Sequence, residues 1–301
     1  MKVFVTGAAT GVLGCAAVTS LVADGHDVHG IARDDTKAAA LEAAGAVPVQ
    51  AQLLEVDAMT AAFDGFDAVC NLATHVPVGV AGLRPGAWKV NDRLRVQGSR
   101  VVAQAARAAG VRRLVQESVS FVYADGGDDW ITEESTVAVT RGTDPAAVAE
   151  DNASRFASTC RQAVILRLGS FVGDDPMTRW RLYQAKLGRA VSFGDPLGWT
   201  HLVHPDDAGA AVAAALAAPS GVYNVGAEPV RRDAVSQVFA EAVGRASLGT
   251  VPKLMVRLGG ERLAPLARSH RVCSAKIHEM TGWKPEHDVF DQSWLPHPTS
   301  G

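Results

Sequence analysis

A chain that opens with a short apolar strand, breaks into glycines and runs straight into a helix has few folds open to it. Lys2–Val5 is an apolar run of the kind that forms a buried parallel strand. It leads into Thr6-Gly7-Ala8-Ala9-Thr10-Gly11-Val12-Leu13-Gly14. Leu13–Asp24 then carries apolar residues at helical spacing (Leu13, Ala17, Leu21) and stops at Gly25. A glycine-rich turn at such a junction exposes backbone N–H groups, and the helix dipole favours a pyrophosphate there. Thr6, Gly7, Thr10, Gly11, Val12, Leu13 and Gly14 are therefore the expected phosphate cradle of a dinucleotide. The competing reading is a tight turn that needs glycine only for its backbone.

The rhythm that follows is strand and helix in alternation. Strands are expected at Asp27–Ala32, Val47–Gln50, Asp67–Leu72, Arg113–Gln116 and Ala163–Leu168. Helices are expected at Thr36–Ala44, Ala58–Phe63, 91–109 and 145–159. This order specifies an α/β fold, a doubly wound parallel Rossmann sheet. After Gly173 the alternation lapses. A helix at Trp180–Leu187 precedes a Gly/Pro-rich stretch, Gly188–Gly198, and a strand at Thr200–Val203. An alanine helix, Asp206–Ala217, and a strand, Val222–Val225, come next. The expected division is a dinucleotide-binding domain over 1–172, with 199–226 contributing, and a small C-terminal α+β substrate lobe from 173–198 and 227–301. Such a lobe lies over the carboxyl edge of the sheet, where ligands bind. The tail Leu295–Gly301, with two prolines, is expected to fray.

Composition narrows the partners. With 301 residues, 48% of them hydrophobic, the chain can bury a sizeable core. A net charge of -3 gives no electrostatic pull toward nucleic acid or an anionic membrane. No stretch reaches the roughly 18 unbroken apolar residues of a membrane span. The N-terminus enters a strand without a basic and apolar leader, so a cytoplasmic location is expected. Cys15, Cys70, Cys160 and Cys273 show neither CxxC nor zinc spacing. They read as small hydrophobes in a reducing compartment, and no metal site is expected.

The end of the second strand selects the nucleotide. An acid there holds a ribose 2′-hydroxyl, whereas an arginine accommodates a 2′-phosphate. Gly30-Ile31-Ala32-Arg33 places Ala32 at the acid position and Arg33 beside it, which favours NADP, with NAD as the alternative. Asp34 and Asp35 either turn inward or cap the next helix.

These residues resemble the extended, atypical short-chain dehydrogenase/reductase superfamily, also called the NAD-dependent epimerase/dehydratase family. The likeness rests on VTGAATGVLG, Asn71-Leu72-Ala73-Thr74, and Gly110-Val-Arg-Arg-Leu-Val-Gln-Glu-Ser118 with Tyr123 following. Val164-Ile-Leu-Arg-Leu-Gly169, His204-Pro-Asp-Asp207, Gly221-Val-Tyr-Asn-Val-Gly226 and Thr281-Gly-Trp-Lys-Pro285 extend it over nearly the whole chain. The resemblance implies a Rossmann domain with a small substrate lobe. It places Gln52, with Leu53 beside it, against adenine, and Leu72, Ala73 and Thr74 along the cofactor. The family loop is TGxxGxxG and this one is TGxxxGxxG, so either Ala8 stands in for the first glycine or the loop bulges. Gly7 is on that account less firmly placed than Gly11 and Gly14.

The resemblance breaks at the proton-transfer residues. The family uses a tyrosine whose pKa is lowered by a lysine four residues on, assisted by a serine. Aligned from Tyr123 and Glu150, those positions fall on Val119, Gly142 and Ala146, and the family's structural asparagine falls on Arg95. Tyr123, Tyr183 and Tyr223 are the chain's three tyrosines. Replacements must come from the carboxyl ends of strands. His75 is either the replacement acid/base group or a histidine that hydrogen-bonds loop backbone, Ser118 or Ser120 is placed to orient a carbonyl, and Tyr123 is either catalytic or packing. Glu117 needs a partner there, Arg95 or Arg113. The acidic stretch Asp125–Glu134 reads as a substrate loop or a solvated turn, and Arg268-Ser-His-Arg271 as an anion contact or a lobe-to-core tie. The expected activity is an NADP(H)-dependent oxidoreductase reducing a small carbonyl, imine or enone. The alternatives are a non-redox cyclase or dehydratase and a nucleotide sensor. A small-molecule substrate is the expected partner, and a homodimer is compatible with the chain.

Overall fold

The structure, a computed structural model, describes residues 1–258 and 260–296. Seven parallel strands form the central sheet: β1 (Lys2–Thr6), β2 (Asp27–Ile31), β3 (Val47–Val49), β4 (Ala68–Asn71), β5 (Arg113–Val119), β6 (Gln162–Leu168) and β7 (Gly221–Val225). Their order, β7-β6-β5-β4-β1-β2-β3, reverses direction at β1 and β4. Every strand therefore ends at one edge, and the crevice between Thr6 and Asn71 opens at the switch point.

Helices cover both faces. The helices α1 (Val12–Ala23), α2 (Asp35–Ala43) and α3 (Val56–Ala62) follow the first three strands. The expected helix over 91–109 is interrupted. It divides into α4 (Lys89–Arg93), a π-turn at Leu94–Gly98 and α5 (Ser99–Ala108). The wider turn carries Arg95, whose guanidinium reaches Glu117 inside the protein. α6 (Asp144–Phe156) stops three residues before its expected end, with Phe156 buried and a tight turn at Ser158–Arg161. In α8 (Pro205–Ala214) the alanine richness has a packing reason. Gly209 lies so close to Ala16 that a Cβ would sit 2.5 Å from its carbonyl carbon, so α1 and α8 meet nearly backbone to backbone.

Beyond the sheet, α7 (Pro176–Lys186) and α9 (Arg232–Ala242) share an apolar cluster that includes Val172, Ala185, Leu202, Phe239, Phe290 and Trp294. Leu295 belongs to that cluster, so the fraying expected from residue 295 onward does not begin there, and 297–301 lie outside the described residues. The short helices α10 (Lys253–Leu258) and α11 (Ala275–Thr281) complete the C-terminal part. Among the described residues no helix is long and apolar enough to cross a membrane.

The acidic loop ties this part to the sheet. Asp125 pairs with Lys253 at 3.1 Å and accepts the Ser269 N–H. Asp128 pairs with Arg231 at 2.8 Å and accepts the Trp199 indole N–H. Arg271 lies over the Trp130 and Trp199 rings at 4.2 and 4.7 Å, and Arg268 donates to the Phe121 and Tyr123 carbonyls. Both segments therefore tie chain to chain through Asp125, Asp128, Arg268 and Arg271.

Candidate functional site

At the switch point two glycines of the turn, Gly7 and Gly14, have no room for a side chain. Gly7 has φ +76°, and a Cβ there would lie 2.8 Å from Ala73 Cα and 2.9 Å from the Leu72 carbonyl. A Cβ on Gly14 would lie 2.1 Å from the Gly7 carbonyl oxygen. Gly11, the N-cap of α1, donates its N–H to that same oxygen at 3.2 Å. The inserted residue is absorbed in a four-residue turn, Gly7–Thr10, with the Ala8 methyl buried over Gly30. The turn bulges, and Gly7 is as tightly constrained as Gly14, contrary to the sequence expectation. Loop backbone and the start of α1, presented at a helix N-terminus with no Cβ in the way, fit a dinucleotide pyrophosphate.

Thr6 braces this loop. Its hydroxyl donates to Asn71 Oδ1 at 2.7 Å and accepts the N–H groups of Leu72 and Ala73. Asn71 continues the chain by donating to Gln116 Oε1 at 2.8 Å. The Thr6 side chain is thus spent on holding β1 to the β4 loop. Thr10 is exposed on the turn, and Val12, Leu13 and Gly14 begin α1. At the end of β2, Asp34 caps α2 by accepting the Lys37 N–H and Asp35 lies in its first turn. The hydrogen bonds from Lys37 hold the Asp34 carboxyl below its usual range. Neither aspartate turns inward, and the Arg33 side chain is left exposed beside the crevice. Gln52 is exposed after β3, Leu53 packs near Gly98, and Ala73 and Thr74 are half-buried after β4.

The four expected catalytic residues do not stand together in the open. Tyr123 is wholly buried; its hydroxyl donates to Asn224 Oδ1 at 2.8 Å, and Arg167 covers its ring at 4.8 Å. Burial pushes its phenol up, against the opposing pull of Arg167, so it is a packing residue. Ser118 is buried and donates to Glu150 Oε1 at 2.5 Å. Glu150 in turn takes Arg167 in a bidentate pair at 2.9 and 2.7 Å. Ser120 is also buried, in the 3₁₀ turn after β5. The Ser118 and Tyr123 hydroxyls are thus engaged in the interior. His75 alone is exposed at the cleft, with its backbone N–H fixed to Asn91 Oδ1 at 3.1 Å.

Glu117 pairs with Arg95 at 2.5 Å, not with Arg113, which is spent on the Ala215 and Ala218 carbonyls. Burial raises the Glu117 pKa and Arg95 opposes it. The position that would carry the tyrosine is closed. A Cβ on Gly142 would lie 2.5 Å from the Arg262 carbonyl oxygen, and Arg262 is anchored by Asp92 at 3.2 and 2.8 Å. Backbone from the C-terminal part thus crowds the point at which a side chain at 142 would leave the chain. The sequence offers no local signal for this contact, since 120 residues separate its partners.

A Streptomyces protein described as a 3-diazoavenalumate denitrifying reductase is 30% identical over 305 residues, covering 95% of this chain and 97% of the relative. The human epimerase family protein SDR39U1, solved with NADPH, superposes with a TM-score of 0.77 at 21% identity over 96% of each chain. MoeE5, solved with UDP-glucose and NAD, superposes with a TM-score of 0.76 at 21% identity, over 99% of this chain and 97% of its own. These structures share the fold. The pattern of the NAD dependent epimerase/dehydratase family matches residues 3–226, which hold the cradle, the Thr6–Asn71 brace and the altered catalytic positions, and the chain belongs to that family.

Proposed function

We propose that the protein is an NADP(H)-dependent reductase of a small electrophile whose reduction needs no tyrosine proton donor, with a diazo compound as the favoured acceptor. The carrying observation is the closed position at Gly142. No phenol can stand there without displacing Arg262, and Ala146 offers no ammonium four residues on. Reduction of a ketone leaves an alkoxide that must be protonated. A protonated imine or an arenediazonium is already cationic, so hydride neutralises it. When bound, the cofactor supplies that hydride, and an arenediazonium plus hydride balances as the arene C–H and dinitrogen. The curated relative, a denitrifying reductase by description, supports this acceptor class. The chain's own contribution is positional. The cradle fixes the dinucleotide, Thr6 holds the β4 loop against it, and His75 stands exposed beside the crevice.

The test uses benzenediazonium and NADPH deuterated at the transferable position. The expected result is NADPH oxidation with deuterium in the ring C–H of benzene. The His75→Ala rate is expected within about threefold of the parent, because loss of a true general acid costs about 10²–10⁴-fold. A His75→Ala loss of that larger size would return the reading to a carbonyl or enone, with His75 as donor. NADPH oxidation without label in the product would sink the hydride reading.

Cofactor choice is tested separately. Arg33 is exposed beside the crevice and Asp34 is consumed by its cap. Arg33→Ala is expected to weaken NADPH about ten- to hundredfold while leaving NADH nearly unchanged, in line with the loss of a charge-assisted contact. Fluorescence titration of both nucleotides measures it, and an equal loss for the two would remove the NADP assignment.

A further inference from the structure

The loop after His75 lines an open surface hollow of about 540 Å³. Val76, Pro77, Val78 and Pro85 give it apolar walls, with His75 and Arg84 as its titratable and charged lining. The loop is held at two points. Gly79, at φ +56°, passes so close to Trp180 of α7 that a Cβ would lie 2.3 Å from the indole, and the Trp88 indole N–H donates to the Gly82 carbonyl at 2.9 Å. Val76 and Val78 nonetheless keep 49% and 37% of their surface exposed. Arg84 is exposed and has no carboxylate partner among the described residues, whereas Arg262 is taken by Asp92. An apolar hollow with one free guanidinium is suited to a ligand that is flat and apolar over most of its length and anionic at one end.

We propose that this hollow is the acid subsite of the substrate cleft, taking a flat, apolar monocarboxylic acid whose carboxylate pairs with Arg84. It rests on the reading of the cleft beside His75 as the place of reduction, and it names the chemical class of the molecule reduced. A planar guanidinium meets a carboxylate through two parallel N–H donors, which an amide cannot match. Nucleotide sugars, with a polyhydroxylated body, suit apolar walls poorly.

Calorimetric titration of the full chain, with and without NADPH, is made with 2-naphthoate and with 2-naphthamide. The acid is expected to bind at least about tenfold tighter than the amide. Arg84→Gln is expected to erase that preference while leaving amide binding unchanged, and Arg84→Lys to restore part of it. Equal affinities for acid and amide, no binding of either, or an unchanged preference in Arg84→Gln would each overturn the proposal. Arg84 is exposed, so an unaltered circular dichroism melt is expected of both variants. Failure of the reductase reading shows differently, as absent label transfer while the acid preference persists.

Discussion

Gly14→Ala is expected to weaken NADPH binding by at least about 100-fold and to lower the melting temperature. The added methyl would sit 2.1 Å from the Gly7 carbonyl oxygen and 2.6 Å from its carbon, with Ala8 Cα at 3.1 Å. All three are backbone atoms, so no side-chain rotation relieves the contact, and the turn must lift from α1. Overpacking of this kind costs about 1–3 kcal/mol or more. The same movement shifts the Gly11 and α1 N–H groups that would face the pyrophosphate. Gly25→Ala is the control. Its φ is +75° but nothing lies within 4 Å of the added carbon, so it is expected to cost about 1–2 kcal/mol of conformational strain with no effect on NADPH. Fluorescence titration and thermal unfolding of both variants make the comparison. Parental NADPH affinity in Gly14→Ala would show that the turn is not the cradle.

The second large effect is acid instability. His201 and His270 are both buried in the tie between the sheet and the C-terminal part. Among the described residues neither ring nitrogen of His201 has a hydrogen-bond partner, and His270 Nε2 lies 3.3 Å from the Tyr123 carbonyl. Burial, with the charge of His270 adding to it, pushes His201 down to about 3. Burial likewise pushes His270 down to about 4, against the Tyr123 carbonyl, which favours the protonated ring.

In the unfolded chain both titrate near 6.5, so the unfolded state binds more protons at any pH below that value. The stability of the neutral imidazoles is fully present above about pH 6.5. It is lost as pH falls, and the loss is complete only near the folded values of 3 to 4. Two such groups cost on the order of 4 kcal/mol between pH 7 and pH 5. His204, stacked on His287 at 3.7 Å and also lowered by burial, acts in the same direction. Urea unfolding across this range measures the slope. His270→Gln is expected to remove about half of it, because the amide can keep the bond to the Tyr123 carbonyl without titrating. Stability that is flat or rising toward pH 5 would contradict the burial of these rings as neutral groups.

The sheet, the glycine turn before the first helix and the lack of a Tyr-x-x-x-Lys pair are all legible in the linear chain. Apolar runs, helical spacing and glycines at positive φ act over a few residues, and the family pattern depends on the same local stretches. The roles of side chains at the carboxyl edge were not legible. Ser118, Ser120 and Tyr123 stand in the right stretch of sequence, yet Glu150, Arg167 and Asn224 draw two of their hydroxyls into the interior. The ambiguity over Arg95 and Arg113 was one of reach, settled when the π-turn at Leu94–Gly98 brought Arg95 to Glu117. Arg84 carries no sequence signal among prolines and glycines, because only the folded loop sets it at an apolar hollow with no carboxylate partner among the described residues.

Gly142 draws the division most sharply. The absence of a tyrosine there can be read from the residues alone, since it concerns identity at one position. Its consequence, a closed site held by Arg262 and Asp92, required the packed chain. Backbone preference is a property of neighbours in sequence, whereas burial, pairing and the filling of a vacated position depend on segments that meet only when the core closes.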